Sequence, residues 1–193
     1  MRSILFPPIK RLIESSWGLI LAFVWGAAEA LFWPILPDFL LFAVVPTAPR
    51  RWWIAGAAGA LGSVLGGVLG FVWADATGST APLEVAPLIT AGMIEETSRL
   101  VSESGSMAVL NQPLSDIPYK VFVYIAGAQH HSLMIFIWAS LVARSVRILA
   151  VSGVAGLLGR LAGPKLSARY YDLFLVAFTA VFIYGLWRVV TRF

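Results

Sequence analysis

The stretch EALFWPILPDFLLFAVV, residues 29–45, decides the fold, because it carries two acids inside an apolar segment that prolines interrupt. Glu29 and Asp38 lie nine positions apart, and every residue between them is apolar or aromatic. Pro34 and Pro37 prevent a single regular helix from running through the stretch. Broken backbone and carboxylates are tolerated at membrane depth only where they are buried in protein or line a wet cavity. The stretch therefore predicts a helix break that faces such a cavity.

The composition of the whole chain is that of an integral membrane protein. The chain has 193 residues, of which 59% are hydrophobic and 12% charged, and its mean hydropathy is +0.84. A soluble domain of this length could not bury so much apolar surface. The net charge of +4 comes from basic residues that flank apolar runs, which indicates membrane topology and no nucleic-acid partner. A cleaved signal peptide ending near residues 28–30 is disfavoured, because the chain stays hydrophobic after it.

Three long apolar runs predict transmembrane helices. The first, residues 52–74, has 23 uncharged residues and small residues at four-residue spacing, which favours close packing against another helix. This glycine-rich helix is also a candidate contact for a homo-oligomer. The second run, residues 132–159, carries Arg144 and Arg147 near its middle, and the third covers residues 170–187.

Two further segments predict re-entrant hairpins that do not cross the membrane, at residues 29–45 and 111–128. FLLFAVV, residues 39–45, is too short to span a bilayer, which needs about 20 residues. It is read as the return helix of a hairpin whose breaks are Pro34 and Pro37. NQPLSDIPYKVFVYIAG, residues 111–127, repeats the pattern with Pro113 and Pro118 as its breaks.

The two halves of the chain predict an inverted repeat. A shift of 81 residues brings Pro37 onto Pro118 and the glycine-rich run onto residues 133–155. Each half then consists of a re-entrant hairpin and one transmembrane helix, so the two halves have opposite orientations, as in many transporters. A chance similarity of two hydrophobic stretches is the alternative explanation.

The predicted fold is an all-α integral membrane protein with two inverted repeats and a further C-terminal transmembrane helix. Residues 1–193 form one membrane domain, with repeat 1 at about 12–74, an amphipathic acidic connector at about 78–106, repeat 2 at about 107–160 and the final helix at about 170–190. An internal N-terminus satisfies the positive-inside rule. Arg2, Lys10, Arg11, Arg50, Arg51, Arg160, Lys165 and Arg169 then lie inside, and Arg99, Arg188 and Arg192 lie outside.

These motifs resemble the DedA (SNARE-associated, VTT) membrane protein family. Glu29, a proline break and Pro37-Asp38 before a short apolar run are similar to that family's first hairpin. PLSDIPYKVFVYIAG followed by SLVARSVRILAVSG resembles the second hairpin and following helix of its YqaA-like branch, and the resemblance covers roughly residues 12–160. The family usually carries R-x-x-P-x-x-R in the second hairpin, whereas Ser115 stands at the first position here and Lys120 is the only cation, one residue early.

The resemblance implies a protein of the bacterial inner membrane with two opposed re-entrant hairpins. Some relatives translocate undecaprenyl phosphate or phospholipids, and the proton motive force is implicated. The family's membrane acids match Glu29 and Asp38, which are the expected proton-coupling residues. The expected substrate-binding residues are Lys120, Arg144, Arg147 and Asp116.

Physical reasoning about the charges agrees with a transport role and leaves others open. Arg144 and Arg147 are three residues apart on one helix face, and both should point into the protein because lipid exposure of a charge is unfavourable. The expected function is a transporter or flippase of an anionic lipid head group that uses protons. An uncoupled lipid scramblase and a non-transporting membrane scaffold are the alternatives, and a buried ion-pair network could serve the scaffold.

No enzymatic, cofactor or metal site is expected. The sequence lacks a P-loop, G-x-S-x-G and H-E-x-x-H. His130 and His131 are read as an interfacial turn, because no third metal ligand lies near them in the sequence.

Overall fold

The computed structural model describes residues 3–191, apart from the side chains of residues 164–167 and 189–190, and contains no β-strand in that range. The expected all-α class is therefore confirmed. Arg2 and Arg192 of the charge count lie outside the described residues, as does the side chain of Lys165. The helices are α1 Phe6–Glu14, α2 Ser16–Leu31, α3 Pro37–Val44, α4 Trp52–Thr77, α5 Ala81–Val85, α6 Ala91–Ser104 and α7 Tyr119–Ala128, followed by one helical run over Leu133–Val190.

The last helical run is interrupted at Gly163, whose φ of 69° and ψ of 162° are not helical. Pro164 follows directly and cannot continue a regular helix. We therefore treat the run as two helices, α8 Leu133–Gly163 and α9 Ala168–Arg188. Three 3₁₀ segments complete the fold, at Val45–Thr47, Pro49–Arg51 and Gly105–Leu114.

Within residues 3–191, three helical segments are long and apolar enough to cross a membrane. They cover Pro49–Thr77, Leu133–Gly163 and Ala168–Arg188, with 29, 31 and 21 residues against the roughly 20 that a span requires. The long apolar helices expected over 52–74, 132–159 and 170–187 are thus present. α1 and α2 meet at 85°, and together they provide a fourth candidate span if they are taken as one bent helix.

The glycine-rich helix α4 packs tightly against α2 of the same chain. A Cβ added at Gly62 would overlap the carbonyl oxygen of Phe23, and one at Gly66 would overlap that of Ala27. The close approach expected from the small residues is therefore confirmed, and its partner is α2. A homo-oligomer stays a prediction, and its contact would use the exposed leucines of α4, such as Leu61 and Leu65, rather than these glycines.

The N-terminal helix α1 is fastened to the C-terminal helix α9. Asp172 accepts hydrogen bonds from the Ser3 hydroxyl at 2.6 Å and from the Ile4 and Leu5 amides at 2.9 and 3.2 Å. These bonds satisfy amides at the start of α1 that have no partner within the helix. The Tyr171 hydroxyl donates to the Ala43 carbonyl, so α9 also holds the segment that follows the first break.

A hydrogen bond joins the two ends of each of the two segments that prolines interrupt, residues 13–51 and 106–132. Arg51 donates to the Ile13 carbonyl at 3.3 Å, which joins the exit from the first broken segment to its entrance. The Ser106 hydroxyl donates to the Ser132 carbonyl at 2.8 Å and does the same for the second. The segment expected as a connector at about 78–106 contains the expected amphipathic helix, α6, which buries Met93, Thr97 and Val101.

Candidate functional site

The first break separates α2 from α3. α2 ends at Leu31, and α3 begins at Pro37, whose ring suits the first position of a helix. The indole Nε1 of Trp25 donates to the Ile35 carbonyl at 3.0 Å and fixes the extended residues between the helices. Asp38 lies in the first turn of α3, where the helix dipole favours a negative charge.

The second break lies directly against the first. The Lys120 ammonium donates to the Trp33 carbonyl at 2.5 Å, and the Tyr124 hydroxyl donates to the Leu31 carbonyl at 3.1 Å. Both acceptors lie at the end of α2, where carbonyl groups lack partners within the helix. Lys120 is almost fully buried, and its charge faces the negative end of the α2 dipole. Two side chains of α7 therefore donate hydrogen bonds to the C-terminal end of α2, and the two breaks are in direct contact.

Arg144 is the centre of a buried polar network that joins five segments. Its guanidinium donates to Glu29 at 2.8 Å, to Ser63 at 2.7 Å and to Gln112 at 3.2 Å. The guanidinium also lies 4.6 Å from the centre of the Tyr119 ring, within cation–π range. The side chains of the Arg144–Glu29 pair are each 1% exposed, so neither charge is accessible to solvent.

Sequence reasoning missed Ser63, Gln112 and Tyr119 as members of this network. They are neutral, so they do not interrupt an apolar pattern in the way that an acid or an arginine does. One signal was available, because Ser63 and Arg144 are 81 positions apart, which is the shift that aligns the two halves. Two positions that this shift aligns, one on α4 and one on α8, are therefore in direct contact.

Arg147 forms a second and more accessible ion pair. Its Nη2 donates to an Asp38 oxygen at 3.0 Å, and the two side chains are 19% and 17% exposed. This pair joins α8 to α3, whereas Arg144 joins α8 to α2. The expectation that both arginines point into the protein toward the broken segments is confirmed. Their predicted roles in substrate binding stay predictions.

A cavity of about 500 Å³ lies between the two breaks. This volume falls in the range of small-molecule sites. Its charged lining residues are Glu29, Asp38, Asp116, Lys120 and Arg147, and its polar and proline lining residues include Gln112, Ser115, Pro34, Pro113 and Pro118. Arg144 is not among the lining residues, which favours a positioning role for it over direct contact with a ligand.

Three buried polar atoms on cavity-lining residues have no hydrogen-bond partner within the described part of the chain. They are Glu29 Oε1, Asp38 Oδ1 and Gln112 Nε2. Each acid therefore uses one oxygen in its ion pair and retains a second that can accept a hydrogen bond or a proton. Gln112 accepts from Arg144 through its oxygen and retains amide hydrogens for an anionic oxygen. Such unpaired buried groups are uncommon in folded proteins.

Two other predicted features lie away from the ion pairs. Asp116 lines the cavity in the extended segment before α7 and is exposed. His130 lies beyond the end of α7, where its Nδ1 is 2.9 Å from an Asp75 oxygen on the exposed end of α4. Among residues 3–191, no three His, Cys, Asp or Glu side chains are grouped so that they could hold a metal ion.

Comparison with known proteins identifies a relative of this chain. A protein of Haemophilus influenzae, described as uncharacterized, is 30% identical over 142 residues, which is 72% of this chain and 72% of that protein. No protein-family model matches the chain, and no solved structure matches it. The resemblance to the DedA family therefore rests on the sequence motifs and stays a prediction.

Proposed function

The chain belongs to the same family as the uncharacterized Haemophilus influenzae protein, and from its site we propose that it moves the phosphate-bearing head group of a lipid across a bacterial cytoplasmic membrane. Undecaprenyl phosphate and phospholipids are the substrates that the DedA resemblance implies. The observation that carries the proposal is the cavity between the two breaks, where acids and cations meet beside non-helical backbone. Charges and broken backbone at membrane depth are typical of substrate pathways.

The proposed architecture has two re-entrant hairpins that enter from opposite faces. The hydrogen bonds Arg51–Ile13 and Ser106–Ser132 support it, because each broken segment returns to the end from which it started. α4 connects the two segments and is long enough to cross the bilayer. The tips of the two hairpins would then meet near the middle of the membrane, at the cavity.

The proposed inverted repeat is supported by exchanged packing. α2 packs on α4 and the 3₁₀ segment Gly105–Leu114 packs on α8, so the first arm of each hairpin contacts the long helix of its own repeat. Asp38 of α3 is bonded to Arg147 of α8 and α7 packs on α4, so each return helix contacts the long helix of the other repeat. The aromatic side chains of α3 pack on α9. Two repeats that are related by a twofold axis would make this pattern of contacts.

Phosphate binding is assigned to three donors on the cavity wall. Arg147 offers a planar guanidinium that can bind two phosphate oxygens, and Lys120 offers an ammonium group. Gln112 Nε2 is the third donor and is buried without a partner within the described chain. The lipid tail would remain in the bilayer while the head group occupies the cavity.

Proton coupling is assigned to exchange at the Arg147–Asp38 pair. A phosphate cannot take the place of Asp38 at Arg147 while the carboxylate is ionised, because the two anions repel each other. A proton that binds an Asp38 oxygen neutralises the carboxylate, and the guanidinium keeps its charge and becomes available to phosphate. When the lipid leaves, the carboxyl group releases its proton and the ion pair forms again.

Glu29 is assigned a different role from Asp38. Its pair with Arg144 is almost completely buried, whereas Asp38 and Arg147 retain access to the cavity. Separation of the buried pair would leave an uncompensated charge in a poorly solvated site. We therefore assign Glu29 to positioning, because it keeps α2, the 3₁₀ segment and α8 together around the cavity.

The proposal is tested by reconstitution of the purified protein in liposomes. Fluorescent phospholipids and a lipid-carrier phosphate would be supplied in one leaflet, and their appearance in the other would be followed with and without a pH gradient. The wild type should accelerate lipid movement. Arg147→Gln should abolish the acceleration, whereas Arg188→Gln, an exposed arginine outside the cavity, should not. Protein that leaves lipid movement at the rate of empty liposomes would contradict transport and favour the scaffold.

Movement that is accelerated equally with and without the gradient would favour the uncoupled scramblase. If Arg147→Gln moves lipid as fast as the wild type does, Arg147 does not bind the phosphate. Both readouts require protein that elutes as a single folded species in detergent before reconstitution.

A further inference from the structure

A second cavity, of about 800 Å³, lies at the C-terminal end of α8, whereas the central cavity lies beside the middle of that helix. α1, the 3₁₀ turns after α3 and the end of α8 form its walls. Its charged lining residues are Lys10, Arg50, Arg51 and Arg160, with Glu14 as the acid among them. Arg160 follows Arg147 by 13 residues (160 minus 147), which corresponds to about 20 Å along a helix. The basic pocket is therefore distinct from the central cavity.

Two of these cations have no partner in the described part of the chain. Arg51 donates to the Ile13 carbonyl, and Lys10 is 3.9 Å from Glu14. No hydrogen bond or ion pair within residues 3–191 joins Arg50 or Arg160 to another side chain, and both are exposed. Like charges that are grouped in one concave site raise the local concentration of anions.

An apolar groove of about 260 Å³ adjoins the basic pocket. The two share Pro46 and Gly159 in their walls, so they are neighbours. The groove lies between α8 and α9, and its other lining residues include Leu158, Ala162, Tyr170 and Phe174. Leu158 is 44% exposed and Tyr170 46%, so the groove is open at the lipid-facing surface of two candidate membrane spans.

We propose that the basic pocket and this groove together bind one anionic phospholipid. The phosphate lies between Arg50 and Arg160, and one acyl chain lies in the groove between α8 and α9. A free phosphate ion would satisfy the arginines but would leave the apolar groove without an occupant, so the pairing of the two features favours a lipid. Basic pockets beside membrane helices at the cytoplasmic face are typical sites for anionic head groups.

This inference does not depend on transport. It requires only that a lipid of one leaflet binds at the end of α8, and the same site would be used whether the protein is a transporter or a scaffold. Binding is therefore the correct measurement. It would use purified protein in neutral detergent, a phosphatidylglycerol with a fluorescent acyl chain as the probe, and the matching phosphatidylcholine as the uncharged comparison.

Two sets of variants test the two halves of the site. The double variant Arg50→Gln/Arg160→Gln should weaken phosphatidylglycerol binding about 25-fold, since each basic residue at such a surface contributes roughly a factor of five. Ala162→Trp fills the groove and should weaken binding of both lipids. Arg188→Gln is the control for charge, and Leu157→Trp is the control for the groove, because Leu157 is exposed on α8 but does not line it. Arg160→Gln alone replaces the double variant if the latter does not fold.

Three results would overturn the inference. Variants that bind phosphatidylglycerol like the wild type would mean that the basic residues serve membrane orientation only. Displacement of the probe by millimolar inorganic phosphate, with no effect of Ala162→Trp, would identify a site for free anions. Loss of phosphatidylglycerol binding in Arg188→Gln equal to that in the double variant would mean that binding follows the net charge of the protein and not this pocket. The dependence of binding on Arg50 and Arg160 is expected whether or not the protein moves lipid in liposomes.

Discussion

Replacement of Glu29 with glutamine should destabilise the protein by about 3 kcal/mol, near the low end of the range for breaking a buried ion pair. The substitution keeps the shape of the side chain but leaves Arg144 as a buried cation without its counter-ion. The full range is not expected, because Arg144 retains its bonds to Ser63 and Gln112 and its contact with the Tyr119 ring. For a chain of this size the loss corresponds to a fall in melting temperature of about 6–12 °C.

Thermal unfolding in detergent, followed by the loss of the monodisperse fraction on gel filtration, measures this effect. Asp38→Asn is the matched control, because its pair is less buried than that of Glu29 and its loss should destabilise the protein less. Glu29→Gln/Arg144→Gln removes both charges and should be more stable than Glu29→Gln alone. Glu29→Gln that is as stable as the wild type would refute the proposed positioning role. A double variant that is less stable than Glu29→Gln would refute it as well.

Two further predictions concern the architecture. Gly62→Val should prevent the close approach of α4 to α2 and abolish folded protein on gel filtration, whereas Gly185→Val, which has no neighbour within 4 Å, should not; equal yields would contradict the packing. Single cysteines at Ser16 and Arg50, two exposed positions before and after the first break, should react with a membrane-impermeant thiol reagent from the same side of intact membranes. Labelling from opposite sides would contradict the first re-entrant hairpin.

Much of the backbone could be predicted because the relevant signals are local. α3 begins at Pro37 and α7 begins directly after Pro118, as the two proline pairs indicated. The three long apolar helices follow from run length alone. α1 was not predicted as a separate helix, although Pro7 and Pro8 in its first turn are a starting signal. Its charged residues interrupt the apolar run, so run length alone does not predict this helix.

The partners within the site could be predicted only in part. The acids and arginines are recognisable because each is unusual at membrane depth, so their convergence was expected. Which acid pairs with which arginine depends on how α8 crosses α2 and α3, and no local pattern records that crossing. The exclusion of Arg144 from the cavity lining likewise follows from packing of four segments around it.

Exchange of a proton at Asp38 is proposed to control the access of phosphate to Arg147. The most direct measurement compares wild type, Asp38→Asn and Asp75→Asn in liposomes that contain a fluorescent anionic lipid, with and without a pH gradient. Asp75 is an exposed acid outside the cavity and serves as the control. We expect the gradient to accelerate lipid movement by the wild type and by Asp75→Asn, whereas stably folded Asp38→Asn should move lipid at a rate independent of the gradient. Folded Asp38→Asn that responds to the gradient as the wild type does would contradict the proposed exchange.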